Sequence, residues 1–196
     1  STLSSFYGSL PVTIYINRSI TYSTSNGIIT ATITSGGGAL EKDAVSDMRE
    51  GTTKVIIEGY SSIVSGAFEG DEWFNLTSIH IGDSVTSIGE NLFNADSNTS
   101  PSPKLENLYI GSGVTKVEYR TFYYAIKLVD VQFGTGSQLT AIPRSAFAFN
   151  FALKTITIPS SVNTIDVGAF EESGLTSITI PEGVTIIGQM AFKGTD

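Results

Sequence analysis

An internal repeat limits the fold of this 196-residue chain more than any other feature. Residues 153–170 read LKTITIPSSVNTIDVGAF and residues 175–192 read LTSITIPEGVTIIGQMAF. Both segments share one frame, which consists of a leading apolar residue, an alternating apolar pair and a final Phe. This frame recurs four more times. A degenerate copy opens the array at Val55, and the other five copies begin at leucines 76, 105, 128, 153 and 175, with spacings of 29, 23, 25 and 22 residues. Such a period is typical of an array of stacked repeats.

The spacing within each cycle predicts its shape. The apolar pair alternates at period two, so both members point inward and the residue between them points outward. Each cycle buries about six apolar groups, worth roughly 1.5–3 kcal/mol apiece. Ordering about 23 residues costs a comparable or larger sum, so one cycle cannot fold alone. Stacked cycles predict a mainly β solenoid, right-handed, with one short parallel strand per turn and short turns or 3₁₀ pieces on the other face.

The last aromatic residue of each cycle marks the interior. We expect these side chains to form one continuous column: Phe68, Phe93, Phe122, Phe147, Phe170 and Phe192. Phe133 also occupies a frame position and is predicted to be core. Residues 96–103 are an insertion rich in Ser, Asn and Pro and predict an exposed loop. The copy at Leu128 carries two extra residues after its strand.

Residues 1–51 differ from the repeats and predict a cap. Residues 12–16 and 28–34 are β-branched runs, and Asn26-Gly27 indicates a hairpin turn after a short strand at 20–22. Residues 39–50 have the composition of a short helix that ends at Gly51. A hairpin plus this helix would cover the first apolar turn of the solenoid, which we place at residues 52–196. The sequence ends where another cycle would begin, which favours a truncated array.

Composition excludes several classes of function. The net charge of −8 disfavours nucleic acid and anionic membranes as partners. No apolar run is long enough to span a bilayer, and the first residues do not resemble a signal peptide. The chain has no cysteine, which excludes disulfides and thiolate metal sites. His80 is the only histidine, so triads and histidine metal sites are not expected.

The frame resembles the BspA-type leucine-rich repeat of bacterial and protist surface proteins, over residues 52–194. The resemblance implies an extracellular or surface-attached binding protein, often one concerned with adhesion. That family usually has a cysteine three residues after the Phe. Here this position holds other, mostly small or polar, residues: Asp71, Asp96, Ala125, Asn150, Ser173 and Thr195.

The outward face of the strands is the first candidate binding surface. Neighbouring strands lie about 4.8 Å apart and form a rigid platform. The candidate residues on this face, from two adjacent rows, are Lys54, His80, Asn107, Tyr109, Asp130, Gln132 and Thr157. Every solenoid must place some residues there, however, and Thr and Ser are also plain strand formers.

An aromatic edge is the second candidate surface. Tyr123, Tyr124 and Phe149 fall outside the frame and suit contact with a protein or glycan. The alternative is that these rings pack against one another. The acidic pairs lack the spacing of a calcium loop, so no metal or other cofactor is expected. Asn17, Asn75 and Asn98 begin triplets of the glycosylation type, which matter only in a eukaryotic host.

Two functions therefore remain open. The first is a non-enzymatic surface or secreted protein that binds a protein or glycan through the exposed strand face. The second is a structural spacer that presents another domain of a longer surface protein. The irregular cycles favour binding, because a spacer does not need irregularity.

Overall fold

The computed structural model describes residues 18–25, 28–42, 45, 51–69, 73, 75–93 and 104–195. The described part is a mainly β solenoid built from short strands. In chain order the strands are β1 (Arg18–Ser25), β2 (Ile28–Ser35), β3 (Ala39–Leu40), β4 (Lys54–Glu58), β5 (Ser62–Ile63), β6 (Ser78–Ile81), β7 (Ser87–Ile88), β8 (Asn107–Ile110), β9 (Lys116–Val117), β10 (Asp130–Phe133), β11 (Ala141–Ile142), β12 (Thr164–Ile165) and β13 (Ile186–Ile187).

The solenoid has two strand-bearing faces. The first face is a six-stranded sheet in the order β1-β2-β4-β6-β8-β10. The second face carries two smaller sheets, β3-β5-β7-β9 and β11-β12-β13. Parallel pairing keeps equivalent residues of successive cycles side by side, as with Ile79 and Leu108. The predicted solenoid is therefore confirmed, but the prediction of one strand per turn, with only short turns or 3₁₀ pieces on the other face, was wrong. A second, two-residue strand such as Ser87–Ile88 lies there because its inward isoleucine or valine packs into the core.

The N-terminal hairpin continues the first sheet. β1 and β2 are antiparallel, and Ser25 pairs with Ile28 across the predicted two-residue turn. β2 then pairs in parallel with β4, which buries Ile33 completely beside Ile57. The predicted hairpin is thus confirmed, while its role as a cap stays a prediction. The run at residues 12–16 lies outside the described residues.

The second half of the cap differs from the prediction at its start. Ala39–Leu40 is a strand that pairs with β5, so the predicted helix does not begin at residue 39. The physical reason is that Leu40 extends the second face and is completely buried there. Lys42 and Val45 are helical, and the other residues of 43–50 lie outside the described part.

Every turn changes direction through a left-handed residue two positions before its Phe. The six residues are Gly66, Asn91, Arg120, Ser145, Gly168 and Met190, with φ between 48° and 62°. Only two of them are glycines. The other four adopt the left-handed conformation at a cost of roughly 1–2 kcal/mol each. The strain is tolerated because the turn drives a large aromatic ring into the core.

The aromatic column forms in two parts. The rings of Phe122, Phe147, Phe170 and Phe192 stack with centroids 5.3, 5.6 and 5.5 Å apart. Phe68 and Phe93 form a separate pair at 6.0 Å. Among the described residues no ring contact joins the two parts, so the prediction of one continuous column was wrong. The N–H of Leu92, instead of that of Phe93, donates to the Thr121 carbonyl, which shifts this turn by one residue.

The position that usually holds cysteine in similar repeats is filled by other buried groups. Ala125, Asn150 and Ser173 are each at most 3% exposed. The Asn150 side chain spans two turns, since its Oδ1 accepts a hydrogen bond of 2.9 Å from the Ala125 N–H. The absence of cysteine therefore does not disturb the stacking.

The last turn exposes residues that earlier turns bury. Ile187 is 55% exposed, whereas its counterpart Ile165 is completely buried. Phe192 and Val184 are only partly buried. The expectation of about six buried apolar groups per cycle was wrong for this turn, because none of the described turns packs on its far side.

The cycle that begins at Leu128 interrupts both faces. Its first strand, β10, is the last strand of the first sheet, and pairs only with β8. Its second strand, β11, pairs only with β12 in the following cycle. The two extra residues of this cycle lie between β10 and β11. Through its strands, this cycle is therefore joined to the preceding turn on one face and to the following turn on the other, while backbone hydrogen bonds near Phe147 join it to both.

Candidate functional site

The central strands place the predicted binding residues side by side. The register pairs His80 with Tyr109, and Tyr109 with Gln132. The rings of His80 and Tyr109 stack in parallel, with centroids 4.2 Å apart. Gln132 Nε2 donates a 2.7 Å hydrogen bond to Asp130 Oδ2, and Asp130 pairs with Asn107 in the register. These residues form one continuous surface on the first sheet, which we call the recognition face.

Two predicted residues lie at the ends of this face. Lys54 is on β4, one strand from His80, and pairs with Ser78. Thr157 is exposed and forms an isolated parallel bridge with Thr179 in the last cycle. It is separated from β10 by the break in the sheet, so the structure does not join it to Gln132.

The electrostatic environment favours the neutral form of His80. Burial lowers the pKa of His80 below its ordinary value of about 6.5, and the charge of Lys54 lowers it further. Glu58 and Asp83 have the opposite but smaller effect on this pKa. A neutral imidazole offers one donor and one acceptor nitrogen beside the Tyr109 ring. Because the pKa is lower in the folded chain, the free energy of unfolding decreases as the pH falls below about 6.5.

We expect the NMR titration of His80, the only histidine, to show a midpoint below about 6.5. Lys54→Gln should raise this midpoint, because it removes a repulsive charge. Lys193→Gln is the matched control at the far end of the chain and should leave the midpoint unchanged. A midpoint above the ordinary value, or one insensitive to Lys54→Gln, would contradict this electrostatic description.

A polar cleft of about 410 Å³ opens where the first sheet ends. It lies between β10 and the turn that carries Thr157. Phe133, predicted to be core, is only partly buried because one side of it borders this cleft. The polar side chains that line the cleft are Asp130, Gln132, Ser137, Thr157 and Ser160.

Two local features explain the break. In earlier turns the residue after the strand donates an N–H to the previous turn, as Gly82 does to Ile57 and Gly134 does to Ile110, both at 2.8 Å. Pro159 occupies this position in the next cycle and has no N–H to donate. A Cβ on Gly134 would lie 2.5 Å from the Ser112 backbone N, so glycine permits a close approach that the proline ring does not. The two extra residues then widen the gap.

The residues of this site were only partly predictable from the sequence. Asp130, Gln132 and Thr157 were predicted from their outward positions on strands. Ser137 and Ser160 were not predicted, because they lie in loops outside the frame. Two features of the sequence could have indicated the cleft. One is the pair of extra residues after β10, and the other is Pro159, the first proline directly after the alternating apolar pair of a cycle.

The aromatic edge packs mainly against itself. Tyr123, Tyr124 and Phe149 are half-buried, and the Tyr123 ring lies 5.4 Å from that of Phe149. The Arg120 guanidinium lies 4.5 Å above the Tyr123 ring, and burial raises the pKa of the Tyr123 hydroxyl. These contacts agree with the alternative of mutual packing.

One family profile matches the repeat frame, which has buried apolar residues at equivalent positions and a phenylalanine at the end of each cycle. The profile of the BspA type leucine rich repeat region matches residues 4–100 and 61–196, with six copies. The chain belongs to the BspA-type leucine-rich repeat family. Among curated proteins, none has a sequence that matches this BspA-type chain.

Solved structures share the fold of this BspA-type protein. A leucine rich cell surface protein from Faecalibacterium prausnitzii is 24% identical with a TM-score of 0.60, and the match covers 90% of this chain and 52% of that one. The pneumococcal vaccine antigen PcpA is 18% identical with a TM-score of 0.58, over 86% and 49%. The leucine-rich repeat protein TpLRR of T. pallidum is 19% identical with a TM-score of 0.54, over 86% and 83%. The chain spans about half the length of the first two.

Two further kinds of feature are not found among the described residues. In that part of the BspA-type chain, no three His, Asp or Glu side chains are grouped as metal ligands. Over the same residues, no helix has both the length and the apolar character needed to cross a membrane.

Proposed function

We propose that this BspA-type protein is a non-enzymatic adhesion-type binding protein, secreted or attached to the cell surface, that recognises a protein or glycan through the recognition face. The observation that carries the proposal is the stacked pair of His80 and Tyr109, continued on β10 by the hydrogen-bonded pair of Gln132 and Asp130. The description of the F. prausnitzii structure as a cell surface protein supports the location.

The face is suited to recognition because its side chains are already ordered. The central strands β6 and β8 are paired on both sides, so their backbones lose little freedom when a partner binds. Ring stacking and the amide–carboxylate hydrogen bond restrict the side chains as well. A stiff spacer would not need this ordered group of mixed polar and aromatic residues, so binding is the better explanation.

Tyr109→Ala is expected to weaken the binding of a partner by at least ~1 kcal/mol, because a central tyrosine contributes a large amphipathic contact at low entropic cost. The unfolding midpoint should change little, since Tyr109 lies outside the core. The partner is first identified on an array of extracellular-matrix proteins and glycans, and its affinity is then measured by surface plasmon resonance.

Thr179→Ala is the matched control, on the same row in the last cycle, and should have little effect. Binding that survives Tyr109→Ala but is lost when Tyr123, Tyr124 and Phe149 are replaced together would contradict the proposal and identify the aromatic edge as the binding surface.

A further inference from the structure

We infer that the cleft beside β10 binds one pyranose ring, either a free sugar or a terminal unit of a glycan. This inference rests on the proposed recognition face, of which the cleft is one end. The cleft volume of about 410 Å³ lies within the range of roughly 300–1,000 Å³ that is typical of small-molecule sites.

The backbone of β10 contributes hydrogen-bonding groups to this cleft. The Gly134 N–H donates to the Ile110 carbonyl on the β8 side. Peptide groups alternate in direction along a strand, so those of Val131 and Phe133 point away from β8 and towards the cleft. β10 is the edge of its sheet, and Pro159 cannot supply a donor to the Phe133 carbonyl. A bound ligand with hydroxyl groups can satisfy these peptide groups.

The side chains offer both donors and acceptors at short range. Asp130 accepts a hydrogen bond from the Gln132 side chain through Oδ2. The Asp130 Oδ1 atom and the side-chain amide oxygen of Gln132 remain as acceptors for a ligand. Thr157, Ser137 and Ser160 add hydroxyls, each of which both donates and accepts. Neighbouring hydroxyls on a sugar ring have the same dual character. Among the described residues, Asp130 is the one charged side chain that lines the cleft, which favours an uncharged ligand.

Phe133 supplies an apolar surface in the same cleft. It is partly buried against the core and lines the cleft with its remaining surface. The C–H groups on one face of a pyranose ring form an apolar patch that can pack on an aromatic ring. A ligand with a polar rim and one apolar face therefore matches the lining better than a small ion does.

An added peptide strand does not fit this cleft. A strand inserted between two turns would need about 4.8 Å on each side. On the opposite face, however, β11 and β12 are paired directly, and the rings of Phe147 and Phe170 lie 5.6 Å apart. The two turns are therefore held at contact distance, and the cleft admits only a compact ligand.

The test is saturation-transfer difference NMR on the full chain. The probes are the methyl pyranosides of glucose, galactose and mannose and of N-acetylglucosamine. We expect at least one of them to receive saturation, strongest on one face of its ring. Asp130→Asn and Thr157→Val should each reduce the affinity about tenfold, because each removes hydrogen bonds to the ligand. Thr179→Val, on the same row beyond the cleft, is the matched control and should bind normally.

A second variant removes the cleft without altering its polar side chains. Deletion of residues 135–136 together with Pro159→Gly restores a regular cycle and a backbone donor, so sugar binding should be lost while the chain stays folded. A trisaccharide with the same terminal sugar shows whether one ring or a longer glycan is recognised: equal affinity indicates one ring. Absence of saturation transfer from all four probes, or transfer that survives both Asp130→Asn and Thr157→Val, would overturn the inference.

The two proposals can fail separately. If Tyr109→Ala loses partner binding and none of the probe sugars binds the unaltered chain, the recognition face is supported and the sugar site in the cleft is contradicted. Sugar binding that depends on Asp130, with partner binding unaffected by Tyr109→Ala, would support the cleft and contradict the proposed centre of the face.

Discussion

Deletion of residues 1–51 is expected to abolish the cooperative, monomeric folding of the chain. β2 covers β4 along five residue pairs, from Thr30–Lys54 to Thr34–Glu58. Its removal would expose Val55 and Ile57, which are both completely buried, at a cost of about 1.5–3 kcal/mol each. It would also leave a flat strand edge open to pairing with other chains. Light scattering and thermal unfolding of the 52–196 fragment would measure both effects.

A point variant separates the covering role of the hairpin from the loss of length. Ile33→Asp places a charge at a completely buried position and should destabilise the array by several kcal/mol. Thr30→Asp, on the opposite face of the same strand and beside Lys54, is the matched control and should have little effect. A 52–196 fragment that remains monomeric and unfolds cooperatively would show that residues 1–51 are not a cap.

Phe147→Ala is expected to destabilise the chain by about 3–5 kcal/mol, since it removes a large side chain from a closely packed column. Phe147 is 1% exposed, and its ring lies 5.3 Å from Phe122 and 5.6 Å from Phe170. Neighbouring rings on both sides would border the cavity, and the stacked turns can collapse only partly into it. For a chain of this size the melting temperature should fall by roughly 6–20 °C.

Phe149→Ala is the comparison two residues along. Phe149 is half-buried at the aromatic edge, so its truncation removes less contact area and leaves no closed cavity. The unfolding midpoint, measured by differential scanning calorimetry or urea titration, should therefore change much less than in Phe147→Ala. Equal losses in the two variants would mean that the frame is misplaced by two residues.

The fold was largely predictable because the same physical requirement recurs in every cycle. An alternating apolar pair such as Ile79 and Ile81 has one consistent solution, and six repetitions exclude local alternatives. Asn26-Gly27 was equally informative, since a two-residue turn fixes the register of its hairpin. The outward positions of His80 and Tyr109 followed directly from the period of two.

Other features depend on relations between turns and left little trace in a single cycle. The left-handed residues include Arg120 and Met190, which have no special propensity for that conformation, so the packing of the turn imposes it. The cleft arises from two causes that act together: the two extra residues, and Pro159, which has no N–H and does not permit the close approach that Gly134 allows in the preceding cycle. Each is unremarkable alone, because both lie in loops that vary between cycles.

The breaks on the two sides of the fourth turn, residues 128–147, have a mechanical consequence. In a solenoid, each turn is coupled only to its neighbours, and stability is a sum of turn and interface contributions. The two interfaces of this turn each lack one of the backbone ladders that join other turns. Bending of the array should therefore concentrate at these interfaces. Since the cleft lies at one of them, tension along the molecule would change the width of the cleft.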